Sequence, residues 1–484
     1  MKTAPKVCLT LTAPTIAEDV AIARKYAAYC DLVELRVDRL APAERADITA
    51  FPSSIDRPAI LTARRVRDGG AFTEDDERAR VSLLQDNLPA YDYVDLESDL
   101  VAPDLEALAA RSSTRIIRSI HRFDGLDADE AALIDAVCHS ATEIPKLAFK
   151  ANTLADVTAF LRIAAALPPR ERIFCAMGAA GAVTRILPGA FGSFLTFASP
   201  PEAMASMGGI GHIDIVRLNE IFHVRAIGPD TRPCGVTGWP LAVTASPEIH
   251  RRLCDRDGVD SVMIPLPTED VREAGELCEA LGFAGLAVTV PHKEALLPLL
   301  DEVSPEAAGI GAANTVVWRG GKRFGFNTDI GGFTDAISAF ADRCDFSSVR
   351  VAMIGSGGAA RAVAYALGKL GAKGAVFARN VAKAQEVAAL AGFEARPLEA
   401  LADAEGLDLI VQCTSVGNGS SDPADDPAPA YRFTGRELVY DLIYKPEKTP
   451  FLTRASRAGC RVENGMSMLE AQGEIQHKLF HGLE

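Results

Sequence analysis

The sequence predicts an α/β protein in two halves. A (β/α)8 barrel covers residues 1–225, and a two-lobed α/β half follows, with a Rossmann nucleotide-binding domain as its second lobe. Three observations predict this. Apolar, β-branched runs recur eight times before residue 200, with helical stretches between them. The segment RAIGPDTRPCGVTGWP (225–240) holds Gly, Pro and Asp without periodicity, which marks a joint. Residues 349–372 read as a strand, a glycine-rich turn and a helix in immediate succession. At 484 residues the chain is too long for one ordinary core, so two or three domains are expected.

The runs of the first half are VCLTL (7–11), LVELRVD (32–38), AILTAR (59–64), YVDLE (93–97), RIIRSIH (115–121), IPKLAF (144–149), RIFCAM (172–177) and FLTFA (194–198). Stretches such as TIAEDVAIARKYAAY (15–29) and TLADVTAFLRIAAAL (153–167) carry helical periodicity between them. Strand and helix alternate about every 25–30 residues, the pattern of βα units in a parallel sheet. The last connection, before FLTFA, is short and irregular. After the joint, CGVTGWPLAVTASPEIHRRL gives a strand, a Gly/Pro turn and a helix start. GLAVTVPHKEALLPLLDEV (285–303), IGAANTVV (310–317) and GFNTDIGGF (325–333) follow. The expected boundaries are 231–335 for a substrate lobe, 336–465 for the nucleotide lobe and 466–484 for a C-terminal helix returning to the substrate lobe.

Composition removes several classes of function. A net charge of −15 argues against a nucleic-acid or anionic-membrane partner. No stretch approaches roughly 18 consecutive apolar residues, so no membrane span is expected. The apolar run in MKTAPKVCLTLTAP is too short for a secretion signal and reads as the first strand. A cytoplasmic location is expected, or a plastid one had a transit peptide been removed. The ten cysteines form no CxxC or CxxH pair, which fits reduced thiols better than disulfides or zinc. No metal is expected, and the partners are small molecules. NGSSDPADDPAPA (418–430) reads as one surface loop.

The chemistry begins with Lys146, which shares a strand face with the apolar Ile144 and Ala148. A charged, unpaired lysine there is costly. Other polar residues gather at the C-terminal strand ends, where barrels of this type place their sites. They are Glu34 and Arg36 in ELRVD, Arg64 in LTAR, Glu97 in YVDLE and His121 in RSIH, with Arg185 in the loop after the seventh run. Each alone reads equally well as a solvated strand end or an ion pair, but together on one rim they read as a site. Desolvation disfavours an ammonium, and a free amine attacks a ketone to give a Schiff base that acidifies the neighbouring C–H. His121 would take that proton and later hand it to a departing hydroxyl. Glu97 would hold the imidazole in its working tautomer, and the arginines would clamp a substrate carboxylate. The implied reaction is a Schiff-base-assisted dehydration or aldol-type step on a keto acid.

ELRVD, LTAR…DGG, YVDLE, SIHRF, IPKLA and MGAAGAVTR followed by FGS resemble type I 3-dehydroquinate dehydratase over nearly all of residues 1–225. The resemblance implies Lys146 as the Schiff-base residue, His121 as the proton shuttle and Glu97 as its partner. It places Glu34, Arg36, Arg64, Met177, Arg185 and Ser206 around the substrate. Two features depart from that family. HRFDGLDAD replaces H-x-F-x-x-T-P, and ASMGGIG (205–211) lacks a Gln that touches substrate. Substrate affinity is at issue there more than mechanism.

In the second half, VRVAMIGSGGAARAVAYALGKLGA (349–372) runs a buried strand into a glycine turn and a helix N-terminus suited to a pyrophosphate. The next strand, GAVFARN, ends in Arg379–Asn380 about 20 residues on, where an acidic residue would select NAD and an Arg suits the 2′-phosphate of NADP. Lys293 and Asp329 would converge beside the nicotinamide as a proton-donating pair. TASP, VTVPHK, AANT, NTD, GSGGA, ARN, CTSVG, YDLIYKPEKTPFL and NGMSMLEAQ resemble shikimate dehydrogenase over about residues 231–484. The resemblance implies Lys293 and Asp329 as the catalytic pair and NADP(H) as cofactor. Thr244 and Ser246 would bind the substrate carboxylate, and Thr289, Asn314, Tyr444 and Gln472 its hydroxyls. Gly355, Ser356, Gly357, Gly358, Ala359, Arg379, Asn380, Thr414, Leu442 and Gly465 would hold NADP. Thr244 stands in place of the usual Ser, and Ala287, two before Thr289, in place of Asn or Ser.

The two resemblances are consecutive steps of the shikimate pathway, and their fusion in this order resembles the bifunctional enzymes of plants and some bacteria. Two other readings stay open. One is a quinate/shikimate dehydrogenase with a weak or inactive barrel, motivated by the missing Gln and by Ala287. The other is a catalytically silent metabolite sensor, against which the presence of Lys146, His121, Lys293 and Asp329 together speaks.

Overall fold

The computed structural model describes residues 5–241, 244–419 and 422–484. Eight parallel strands form the first sheet: β1 (Lys6–Leu11), β2 (Leu32–Arg36), β3 (Ala59–Thr62), β4 (Tyr93–Glu97), β5 (Arg115–Arg122), β6 (Ile144–Lys150), β7 (Ile173–Met177) and β8 (Leu195–Ala198). Their order, β7-β6-β5-β4-β3-β2-β1-β8, leaves β7 and β8 to meet. A parallel bridge between Arg172 and Ser193 closes the ring, and Phe194 N donates to Arg172 O at 2.9 Å. The sequence predicts each strand to within two residues. The irregular seventh connection is a short helix, Ala182–Ile186, followed by a 3-10 turn.

Alternation along the strands sorts the side chains. Cys8, Leu32, Ile60, Ile117, Ile144, Ala148, Ile173 and Leu195 fill the barrel interior. The intervening Val7, Leu9, Val33, Leu61, Val94 and Leu147 belong to the outer core shared with the helices. Local chemistry fixes the helix starts. Thr15 accepts from Glu18 N, and Thr153 with Asp156 closes a capping box on the helix Leu154–Ala166.

The second half holds two sheets. β9 (Cys234–Gly238), β10 (Met263–Pro267), β11 (Gly285–Val288), β12 (Glu302–Val303), β13 (Thr315–Arg319) and β14 (Lys322–Phe326) make a mixed sheet in the order β10-β9-β11-β13-β14-β12. The C-terminal helix Met466–His481 lies on this sheet so closely that a Cβ on Gly285 would come within 1.9 Å of the Phe480 ring. β15 (Arg350–Ile354), β16 (Lys373–Ala378), β17 (Glu394–Pro397), β18 (Leu409–Gln412), β19 (Leu438–Asp441) and β20 (Arg461–Glu463) form an all-parallel sheet in the order β17-β16-β15-β18-β19-β20. That is the doubly wound dinucleotide-binding order, with its crevice at the ends of β15 and β18.

Candidate active sites

A cavity of about 400 Å³ opens at the C-terminal ends of the barrel strands. Lys146 reaches into it from β6. Its Nζ donates to Asp95 Oδ2 at 2.8 Å and stands 4.5 Å from the centroid of the Phe197 ring. Arg64 grips the same carboxylate, Nη2 to Oδ2 at 2.7 Å and Nη1 to Oδ1 at 3.0 Å, and the Ser119 hydroxyl donates to Oδ1 at 2.6 Å. Burial works to raise the Asp95 carboxyl, but the neighbouring Arg64 and Lys146 cations hold it well below the usual range. His121 stands beside this group. Burial, then Arg64 and Lys146, push its pKa well below that of an ordinary imidazole, and its buried Nδ1 has no partner. The ring therefore rests neutral beside the amine, with a nitrogen that no protein group occupies.

The rim is polar and pre-organised. Glu34 accepts from the hydroxyls of Thr10 at 3.0 Å and Thr62 at 2.9 Å. Arg36 is forked onto Asp38 at 2.9 and 2.8 Å. Arg185 is 3% exposed, its Nε has no partner, and its Nη1 donates to Phe197 O at 3.4 Å. A buried guanidinium with no carboxylate against it among the described residues is a receptor for an anion. Met177 and Ser206 complete the lining.

Glu97 departs from the expectation. It does not line the cavity and does not meet His121. Its Oε2 accepts from Arg80 Nη1 at 2.9 Å, and its Oε1 lies 3.5 Å from Arg64 Nη1. Arg80 comes from the helix Glu77–Asn87 and is fully buried; Glu77 holds its Nε and Nη2 at 2.7 Å each, and Glu97 takes the remaining Nη1. The acid in contact with the Lys146 amine is Asp95, two residues earlier on the same face of β4.

The second half brings its expected pair together. Lys293 Nζ lies 2.5 Å from Asp329 Oδ2, and Asn314 Nδ2 donates to Asp329 Oδ1 at 2.9 Å. Asn314 Oδ1 in turn accepts from Thr328 N at 2.8 Å, and Thr328 Oγ1 donates to Gln472 Oε1 at 3.2 Å. At the start of the helix Ser246–Asp257, Thr244 Oγ1 donates to Ser246 Oγ at 3.2 Å. The half-buried Tyr444 joins them through a hydrogen bond with the backbone of Ala245. Thr289 is held by its N–H on Thr237 O at 2.9 Å. The Ala287 methyl sits in an apolar cluster with Val236, Met263 and Phe480.

A cleft of about 830 Å³ runs from Lys293 along the glycine turn. Gly355, Ser356, Gly357, Gly358, Ala359, Arg379, Asn380 and Thr414 line it. Gly355 has φ +110°, and a Cβ there would meet Thr414 Cγ2 at 2.7 Å, so only glycine leaves the approach to the backbone open. Leu442 and Gly465 do not line the cleft. Gly465 N donates to Ile443 O at 3.1 Å, and a Cβ on it would stand 2.0 Å from Leu442 O. This tight crossing of backbone accounts for the glycine.

Comparison with known proteins follows the same division. Residues 7–229 match the Type I 3-dehydroquinase family, and residues 236–316 match the shikimate dehydrogenase substrate binding domain. The bifunctional 3-dehydroquinate dehydratase/shikimate dehydrogenase of Arabidopsis thaliana chloroplasts is 30% identical over 477 residues, spanning 94% of this chain and 78% of the relative. The chain belongs to the bifunctional 3-dehydroquinate dehydratase/shikimate dehydrogenase family. The NADP(+) shikimate dehydrogenase of Geobacter metallireducens is 38% identical over 269 residues, 52% of this chain and 92% of the relative. A structure of the Thermus thermophilus shikimate 5-dehydrogenase with NADP(H) and shikimate aligns at a TM-score of 0.47 and 36% identity, over 52% of this chain and 94% of that one.

Three residues that the sequence does not single out stand at these sites in this bifunctional enzyme. Asp95, two residues before Glu97, touches the Lys146 amine. His212 lines the barrel cavity beside Ser206 and Ile210, with Nδ1 2.8 Å from Ser199 Oγ. Burial, then Arg185, Arg36 and Lys146, push its pKa well below the usual range, so it presents a neutral ring to the cavity. Lys383 joins Arg379 at the far end of the nucleotide cleft. Its signal was the four-residue spacing from Arg379 across the N-cap Asn380.

Proposed function

We propose that the barrel dehydrates 3-dehydroquinate to 3-dehydroshikimate through a Schiff base at Lys146, and that the second half reduces this product to shikimate with NADPH. The Lys146 amine adds to the ketone and water leaves, giving an iminium whose positive charge lies against Asp95. The iminium acidifies the adjacent C–H. His121 accepts that proton, and the electron pair moves to expel the β-hydroxyl, which leaves as water with the proton from His121. Hydrolysis of the imine frees the product and Lys146. Arg185 takes the substrate carboxylate, and Glu34, Arg36, Arg64, Met177, Ser206 and His212 enclose the ring.

The second site fits a phosphorylated dinucleotide, because the glycine turn leaves its backbone open and Arg379 and Lys383 place two cations at one end. NADPH bound there supplies a hydride. Lys293, oriented by Asp329, donates the proton to the ketone oxygen. Thr244 and Ser246 receive the carboxylate, and Thr289, Asn314, Tyr444 and Gln472 the hydroxyls.

The observation that carries this reading is a cavity lined by Lys146 and His121, with Asp95 against the Lys146 amine, on a chain that also pairs Lys293 with Asp329. The test is one incubation of the protein with 3-dehydroquinate and NADPH, with products identified over time. Shikimate formed with loss of NADPH, and a borohydride-trapped adduct on Lys146, are expected. Quinate formed instead, with no 3-dehydroshikimate, would replace the proposal with a quinate-type dehydrogenase.

A further inference from the structure

We infer that Cys254, His477 and His481 form a site for a divalent transition metal of the zinc(II) class, held between the helices Ser246–Asp257 and Met466–His481. One donor atom from each of the three residues lies within 4.8 Å of the others. His477 and His481 stand four residues apart and so share one face of their helix, and Cys254 faces them from the last full turn of the other. Tetrahedral coordination at about 2.0–2.3 Å puts donor atoms roughly 3.5 Å apart, within reach of small side-chain rotations here.

A second, independent observation points to a ligand. His477 is 0% exposed, yet its Nδ1 has no hydrogen-bond partner. Its other nitrogen, Nε2, lies 3.1 Å from Asp257 Oδ2. The carboxylate fixes the proton on Nε2 and leaves a lone pair on Nδ1, the arrangement by which outer carboxylates orient metal-bound histidines. One turn before Cys254, His250 is 2% exposed and its Nε2 also has no partner. Its ring centroid is 6.1 Å from that of His477. Two orphaned imidazole nitrogens buried in one place call for a ligand, since such groups are nearly always satisfied.

The donor chemistry agrees. Two imidazoles and one thiol are donors that bind such an ion as neutral rings and a thiolate. The Cys254 thiol gives up its proton to solvent as the sulfur–metal bond forms. His481 is only half-buried and opens the cluster to solvent. A mixed imidazole and thiolate set selects a borderline-soft ion over magnesium or calcium. By contrast, Glu106, His139 and Glu143 also lie close together, but Arg118 already compensates both carboxylates. The ligands come from helices far apart in sequence, so a search for short CxxC or CxxH spacings misses them.

The experiment uses the full chain after dialysis against chelator, titrated anaerobically with cobalt(II) chloride and then zinc(II) chloride. One equivalent of cobalt should produce a near-ultraviolet thiolate charge-transfer band that zinc abolishes. Cys254→Ser should lose the band, and His481→Gln should weaken binding at least roughly tenfold. Cys344→Ser, which removes an exposed thiol elsewhere, should leave the band unchanged. Should Cys254→Ser fail to fold, His481→Gln gives the reading in its place. Absence of the band at one equivalent, or a band that survives in both ligand variants, would overturn the proposal.

Discussion

Asp95 and Glu97 point into the same barrel two residues apart, and their neighbours give them different work. Asp95 touches the Lys146 amine, whereas Glu97 neutralises a fully buried arginine. Asp95→Asn should therefore lower dehydratase kcat by about 10²-fold, through the lost electrostatic support of the iminium. Glu97→Gln should instead cost stability, about 1–2 kcal/mol, because Arg80 loses one of its two carboxylates and keeps Glu77. Steady-state kinetics and urea unfolding of the two variants separate these effects, and equal kinetic losses would contradict the assignment. A second carboxylate shows how burial acts alone. Asp19 is fully buried, and its pKa is raised from 3.8 to about 7, chiefly by desolvation, against the hydrogen bond from Ala13 N. A folded pKa above the unfolded one gives a contribution that is complete below about pH 4 and is lost as pH rises through about 7. Between pH 5 and pH 8 the wild type should lose about 2–3 kcal/mol more stability than Asp19→Asn. Denaturant unfolding at the two pH values checks the sign.

At the level of elements, the strands were legible because period-two alternation with β-branched residues repeats between helical stretches. The same alternation revealed that Lys146 shares a face with Ile144 and Ala148. What alternation cannot carry is the register between elements. Nothing in YVDLE tells that Arg80, a helix away, will take Glu97 and leave Asp95 to the site. His212 lies in a loop after the last strand, where no periodicity applies. Leu442 and Gly465 match family motifs, and the backbone crossing between them is a contact no motif spacing reveals. The turn after β16 gives the clearest element-level test. Arg379 and Lys383 flank the first turn of the helix Val381–Ala389, and both line the nucleotide cleft. Replacing both with Ser should reduce the preference for NADPH over NADH by about 10–100-fold, with kcat for the reduction little changed, because each cation pairs with a phosphate oxygen and neither touches the nicotinamide end. Kinetics with the two cofactors measures this, and an unchanged preference would remove both residues from phosphate recognition.

At the scale of the molecule, the barrel and the mixed sheet share one apolar core. Leu154, Val157 and Phe160 of the barrel belong to the same continuous cluster as Ile264, Val271 and Leu277. The helices Leu154–Ala166 and Val271–Leu281 pack together, and Leu154 N donates to Glu273 Oε2 at 3.3 Å. Arg217, near the end of the barrel half, pairs at 2.7 Å with Glu248 in the first turn of the helix that begins at Ser246. The doubly wound sheet, in contrast, has cores of its own on its two sides. Cutting the chain at the joint therefore exposes apolar surface that the intact chain covers, and burial of such surface contributes roughly 25 cal/mol per Å². Residues 1–229 produced alone should melt at least about 5 °C below the barrel transition of the full chain, since each kcal/mol lost from a domain of this size shifts the midpoint by about 2–4 °C. Calorimetry of the two proteins decides it. Equal midpoints would mean that the shared core is a contact between independent folds, while a lowered one would mean that the barrel relies on the dehydrogenase half for part of its own stability.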